Sequence, residues 1–233
     1  FTDKIPKGIY EYNLKNNLDL NLNPSIEAQI ASISDDIAYN NHDIDDALRA
    51  GFIDLDDLLE VPLVGPMLSE VRSSFPGISS VRQGHETKRR VITQMVSDLV
   101  SETQVRLLNL GPQSAQEIRE QDSPVVSFSE GMIRHNHILK KFLFDNMYRH
   151  HRVNRMASKA RRVVKSLFTL FLEEPECLPA EWYSRCGTPG DPETARLVAD
   201  YVAGMTDRYA VETYEKLFIP RPWVSLESDK AEG

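Results

Sequence analysis

No apolar run in this 233-residue sequence approaches the roughly 20 residues needed to cross a bilayer, so a membrane span is excluded. The opening FTDKIPKGIYEYNLKNN has neither the basic-then-apolar order of a secretory signal nor the Arg-rich amphipathic character of a transit peptide, and the cytoplasm is the expected location. Cysteine is scarce. Cys177 and Cys186 are the only two and form no C-x-x-C pattern, which excludes a disulfide framework and leaves two free thiols. Also missing are a Gly-rich phosphate loop, a G-x-S-x-G nucleophile elbow and a Cys-His pair, so phosphate or acyl chemistry by those routes is excluded at the level of motif. No segment of useful length alternates apolar and polar residues with a period of two, and the expected fold class is all-α.

Positive charge is missing from one end. Residues 1 to 60 hold four Lys or Arg against thirteen Asp or Glu, so the formal net charge of -8 arises almost wholly there. Arginine is absent before Arg49, while Asn13, Asn16, Asn17, Asn21 and Asn23 cluster near the start, so residues 1–22 read as a surface connector. The length suits one domain with an appendage. A helical region is expected over 23–218 and a flexible tail over 219–233.

What is present has helical period. Asn23-Pro24 is a cap-plus-proline start, and Ile26, Ile30, Ile33 and Ile37 follow at spacings of four, three and four. Short helices are expected over 54–60 and 64–74, the latter stopped by Pro76-Gly77. A long one is expected over 85–106, with Val91, Ile92, Met95, Val96, Leu99 and Val100 on its apolar face. Ser127 with Glu130 forms a capping box ahead of Met132, Ile133, Ile138, Leu139, Phe142 and Leu143. The next helix, over 151–173, carries Val153, Met156, Ala160, Val163, Val164, Leu167 and Phe171 inward. Asp191-Pro192 opens a last helix running to about Leu217.

The most informative stretch lies on the first of these helices. Asp35, Tyr39, His42 and Asp46 recur at spacings of four, three and four, with Asp36 and Asp43 at the border of their face. Such close carboxylates repel by a few tenths of a kcal/mol per helix pair, so a compensating positive group is expected nearby. A solvated acidic face is the plainer reading, but solubility needs neither Tyr39 nor His42, and Ser, Asn and Asp make poor helix formers. Local rules are broken in this way most often at functional sites.

The string SDDIAYNNHDIDDALRAG over 34–51 resembles the bacterial dGTPase-like triphosphohydrolases of the HD superfamily, whose last metal aspartate lies in a segment of the form A-D-x-I-A-Y-x-x-H-D-x-x-D-A. The segment DYVAGMTDRYA over 200–210 resembles that family's D-Y-I-A-G-M-T-D-R-F-A, so the likeness spans about 24–218 and corresponds to the C-terminal part of the family's chain. It implies an HD-type helical bundle and an oligomeric, divalent-metal-dependent (Mg or Mn) enzyme. That enzyme cleaves a deoxynucleoside triphosphate to deoxynucleoside and tripolyphosphate, the metal activating water and polarising the phosphate.

By the resemblance, Asp35 matches the final metal ligand of an H…HD…D set, and Tyr39 and Asp43 match the residues that contact the deoxyribose and its 3′-hydroxyl. Asp36 stands where some relatives carry a basic residue. Residues 1–34 contain no histidine, and no adjacent His-Asp pair precedes Asp35. The implied activity therefore needs ligands from a longer chain or from another chain, because one carboxylate holds a divalent metal poorly.

Two basic clusters remain. Lys88, Arg89 and Arg90 precede their helix's apolar stripe. In the resembled family such arginines hold the triphosphate, while pairing with the acidic helix is the structural alternative. Arg149, His150, His151, Arg152, Arg155, Lys159, Arg161, Arg162 and Lys165 crowd a second helix. A solvated or intersubunit face competes there with a nucleotide-effector or single-stranded nucleic-acid site. The alternative function is accordingly a non-catalytic helical module for oligomerisation or nucleotide binding.

Overall fold

The computed structural model describes residues 5–219, and the chain divides into two compact units between His150 and His151. Among the described residues there are helices and no strand, which confirms the all-α expectation.

The first unit begins with α1 (Lys7–Asn16), a helix inside the stretch expected to connect. The acidic helix is α2 (Ile26–Arg49). Its N-cap is Ser25, whose hydroxyl accepts from the Ala28 amide, rather than Asn23. Asn23 instead ties the chain before α2 to a distant segment about 95 residues later, its amide donating to the Arg119 carbonyl at 2.8 Å and its side chain to the Gln121 carbonyl. A 3-10 turn (Asp56–Glu60) replaces the short helix expected over 54–60. It leads to α3 (Gly65–Ser74), then to α4 (Ser80–Leu110), which is longer at both ends than expected, and to the single turn α5 (Ala115–Arg119).

Helix α6 (Glu130–Leu143) starts two residues beyond the expected cap. Ser129 Oγ accepts from the Met132 amide, and Asp98 on α4 holds that hydroxyl at 2.7 Å and the Ser129 amide at 2.9 Å. Ser127 cannot serve as the cap because its hydroxyl turns to the Phe128 carbonyl. A π turn over Phe144–Tyr148 closes the helix, the Arg149 amide reaching back five residues to the Phe144 carbonyl.

The core of this unit lies where α2, α3, α4 and α6 converge. Ile37, Ile44, Ala47, Leu68, Val91, Met95, Leu139 and Leu143 are all buried there, each large side chain contributing about 1.5–3 kcal/mol over its exposed state. The buried stripe of α2 differs from the isoleucine repeat at one point: Ile30 is exposed, and Gln29 is buried beside it. Gln29 is satisfied there, donating to the Pro24 carbonyl at 2.9 Å and accepting from the Val126 amide at 3.1 Å. Gly65 allows the 3-10 turn to pack against α3, since a Cβ at that position would lie 2.1 Å from the Leu59 carbonyl oxygen.

The second unit contains α7 (His151–Glu173), the short α8 (Ala180–Tyr183), α9 (Pro192–Ala203) and α10 (Asp207–Phe218). Val163, Leu167, Phe171, Leu178, Val198 and Tyr201 form its core, the Phe171 ring meeting Tyr201 edge-on at 5.5 Å. Two expectations change. The single last helix is two, because α9 ends at Gly204 and Thr206 caps α10 by accepting from the Tyr209 amide at 3.2 Å. The apolar stripe of α7 is buried only in its C-terminal half; Met156, two turns earlier, is 67 % exposed.

No helix among the described residues is long and apolar enough to cross a membrane. Apart from Ile219, the tail expected over 219–233 lies outside the described residues.

Candidate functional site

Helix α2 is the spine of the site, and its residues divide among three directions. Asp35, Tyr39, His42 and Asp46 are exposed, as their shared face required. Asn41 and Ile37 turn toward α4, while Asn40 and Asp43 turn toward α6. Asp43 is 9 % exposed, much deeper than a border position implies, and Asn40 and Asn41 are buried with it. Asn40 donates to Asn136 Oδ1 on α6 at 2.9 Å, locking the two helices together.

Around Asp43 lies a hollow of about 300 Å³ lined by Asp36, Tyr39, Asn40, Asp43, Lys140, Leu143, Phe144 and Tyr148. The Tyr148 hydroxyl is 2.6 Å from Asp43 Oδ2 and 3.0 Å from the Tyr39 hydroxyl. A carboxylate only accepts, so the Tyr148 proton goes to Asp43, and the Tyr39 proton is free to point at the Tyr148 oxygen. Burial, the bond to Asp43 and the contact with Tyr39 push the Tyr148 phenol above the ordinary tyrosine range, so it stays a donor at neutral pH. At the rim, Lys140 Nζ stands 3.1 Å from Asp36 Oδ2. The positive group demanded by the acidic helix thus arrives from α6. Lys88 and Arg49 supply two more, both reaching Asp45, at 3.3 Å and 3.0 Å.

Arg89 and Arg90 do not line this hollow. Arg89 forks onto Glu86, at 3.1 Å and 2.7 Å, and Arg90 is shared between Glu86 on its own helix and Glu70 on α3. His85 stands 3.9 Å from Asp45.

On the other side of α2, a hollow of about 250 Å³ is lined by Ser34, Ala38, Asn41, His42, Lys88, Ile92 and Val96 among others. Asn41 is bonded through its amide nitrogen to the Ile37 carbonyl, while its Oδ1 has no partner.

Asp35 is a single exposed carboxylate on the crest between the two hollows. Among the described residues no three His, Cys, Asp or Glu side chains come together in a way that could hold a metal ion. The described residues do not by themselves fit a divalent cation, which needs several oxygen or nitrogen ligands at once.

Sequence reasoning missed Lys140 and Tyr148 as site residues. Their signal was the spacing of Lys140, Phe144 and Tyr148, four and four, which places all three along one side of a helix. It was hidden because the side they face belongs to a helix about 100 residues earlier.

A family model described as a phosphohydrolase-associated domain matches residues 126–216. The deoxyguanosinetriphosphate triphosphohydrolase-like protein of Parvibaculum lavamentivorans is 48% identical over 214 residues, 92% of this chain and 54% of that protein. Proteins of the same description from Caulobacter sp. strain K31 and Ralstonia nicotianae are 46% and 45% identical over 217 and 196 residues. These matches cover 93% and 84% of this chain, and 55% and 49% of the relatives. The chain therefore spans about half the length of the curated relatives it matches. This identity extends across nearly all of the chain, which is therefore similar to the deoxyguanosinetriphosphate triphosphohydrolase-like proteins over about half of their length.

Proposed function

We propose that this chain forms the sugar-binding part of an enzyme that hydrolyses a deoxynucleoside triphosphate to deoxynucleoside and tripolyphosphate. The observation that carries the reading is the chain of groups from Tyr39 through Tyr148 to the buried Asp43 carboxylate, beside a hollow that has Lys140 at its rim. Asp43 accepts from one hydroxyl and has lone pairs to spare, so it can take a second hydrogen bond, from the 3′-hydroxyl of a deoxyribose. Tyr39, 58 % exposed, has room to lie against the sugar ring. Lys140 brings a cation to the side where Asp36 has replaced a base, and a phosphate oxygen would compete with Asp36 for it.

Asp35 would be one ligand of a divalent metal whose remaining ligands lie outside the described residues. Arg89 and Arg90 would reach the triphosphate only by exchanging their present carboxylate partners for it.

The test is turnover of each dNTP by a protein that joins this chain to a relative's H…HD segment, with deoxynucleoside and tripolyphosphate separated by anion exchange. The expected result is metal-dependent release of both products, abolished by Asp35→Ala. Full activity in that variant would overturn the assignment.

A further inference from the structure

In the second unit, α7 and α10 enclose a groove of about 650 Å³ whose lining includes Arg155, Lys159, Arg162, Val163, Val211 and Tyr214. Helix α7 carries Arg152, Arg155, Lys159, Arg161, Arg162 and Lys165, and Glu173 is its one carboxylate. Elsewhere in this unit two arginines are neutralised within their own helices, Arg196 by Asp200 at 3.0 Å and Arg208 by Glu212 at 2.7 Å. Arg155, Lys159 and Arg162 have no carboxylate within ion-pair distance among the described residues. Among the described residues Glu215 is the one acidic side chain in the lining.

Spacings of four and three stack these cations on one side of α7, spanning about 10 Å along the axis. Like charges so placed destabilise a helix by a few tenths of a kcal/mol per pair. Among the described residues, then, three cations without a carboxylate partner stand in a row above an apolar floor, an arrangement that an extended polyanion would relieve. The size of the groove suits one small ligand, since small-molecule sites run from about 300 to 1,000 Å³. Its aromatic content argues against a nucleic-acid strand: among the described residues Tyr214 is the only ring in the lining, and it is already stacked on Phe218 at 4.9 Å.

We infer that the α7–α10 groove is a binding site for an oligophosphate chain, free or as part of a nucleotide, held by Arg155, Lys159 and Arg162. It shares no lining residue with the hollow at Asp43 and does not depend on the reading of that hollow.

Isothermal titration of the purified chain with inorganic tripolyphosphate, a dNTP and a single-stranded oligonucleotide tests it. Saturable tripolyphosphate binding is expected, weakened at least about ten-fold by the double change Arg155→Glu and Arg162→Glu. The double change Arg161→Glu and Lys165→Glu removes equal charge from the same helix outside the groove, and its effect should stay below about three-fold because salt screens it. A dNTP binding more tightly than tripolyphosphate, with the same loss in the first variant, assigns the site to a nucleotide; equal affinities assign it to the free oligophosphate. No binding, equal weakening by both double variants, or an oligonucleotide that outbinds tripolyphosphate would each overturn the inference.

Discussion

The Tyr148 hydroxyl donates to Asp43 Oδ2 across 2.6 Å of space and 105 residues of sequence. It is the only hydrogen bond to the Asp43 side chain among the described residues, and it joins the π turn after α6 to the C-terminal part of α2. Replacing Tyr148 by Phe leaves a largely buried carboxylate short of a donor. Hydrogen bonds to charged groups contribute about 1.5–3 kcal/mol, so Tyr148→Phe should lower unfolding stability by roughly that amount. Urea denaturation followed by circular dichroism measures this, and an unchanged midpoint would mean that solvent replaces the phenol.

Two phenols are held protonated by the fold. Burial and Asp43 raise Tyr148 above the ordinary tyrosine range, and burial with the Tyr209 hydroxyl raises Tyr201 likewise. In the unfolded chain both ionise near about pH 10, while the folded protein keeps their protons. The native state then binds more protons than the unfolded one, so the stabilisation is complete below about pH 9 and declines as pH rises through 10 and 11. Denaturation midpoints across that range should fall in the wild type and fall less steeply in the Tyr148→Phe, Tyr201→Phe double variant. Parallel curves would count against the effect.

If Asp43 reads the 3′-hydroxyl, Asp43→Asn should erase a preference for dNTP over its 3′-deoxy analogue. A hydrogen bond to a charged acceptor amounts to about ten-fold in affinity. Competition binding with the two nucleotides measures the ratio in each protein. A ratio near one in the wild type would remove Asp43 from the site.

Gly65→Ala is expected to be the harshest small substitution in the first unit. Its Cβ would overlap the Leu59 backbone carbonyl, and backbone cannot rotate away as a side chain can. Overpacking of this kind costs about 1–3 kcal/mol, and the melting temperature should drop by several degrees. A melting curve that matches wild type would show that the 3-10 turn yields freely.

Most helices were legible because each carries its own apolar stripe, and α9 carries its cap as well, Asp191 accepting from the Thr194 amide. Errors arose where a tertiary partner outweighed a local rule. Ser129 caps α6 in place of Ser127 because Asp98, from a helix 31 residues earlier, holds it. Gln29 is buried and Ile30 exposed because the Val126 and Pro24 backbones give the amide what water would. At the candidate site, the type of residue on α2 was readable, but the depth of Asp43 was not. That depth depends on Tyr148 and Leu143, which approach from elsewhere in the chain.

The π turn at Phe144–Tyr148 amounts to one residue inserted into the end of a helix. Each residue turns an α-helix by about 100°, so deleting one residue there would keep every side chain type and yet swing Tyr148 away from Asp43. The geometry of the hollow at Asp43 is thus set by a count of residues as much as by their identities. A relative that loses or gains one position between Leu143 and Arg149 would have a differently shaped hollow even with both tyrosines and the aspartate in place.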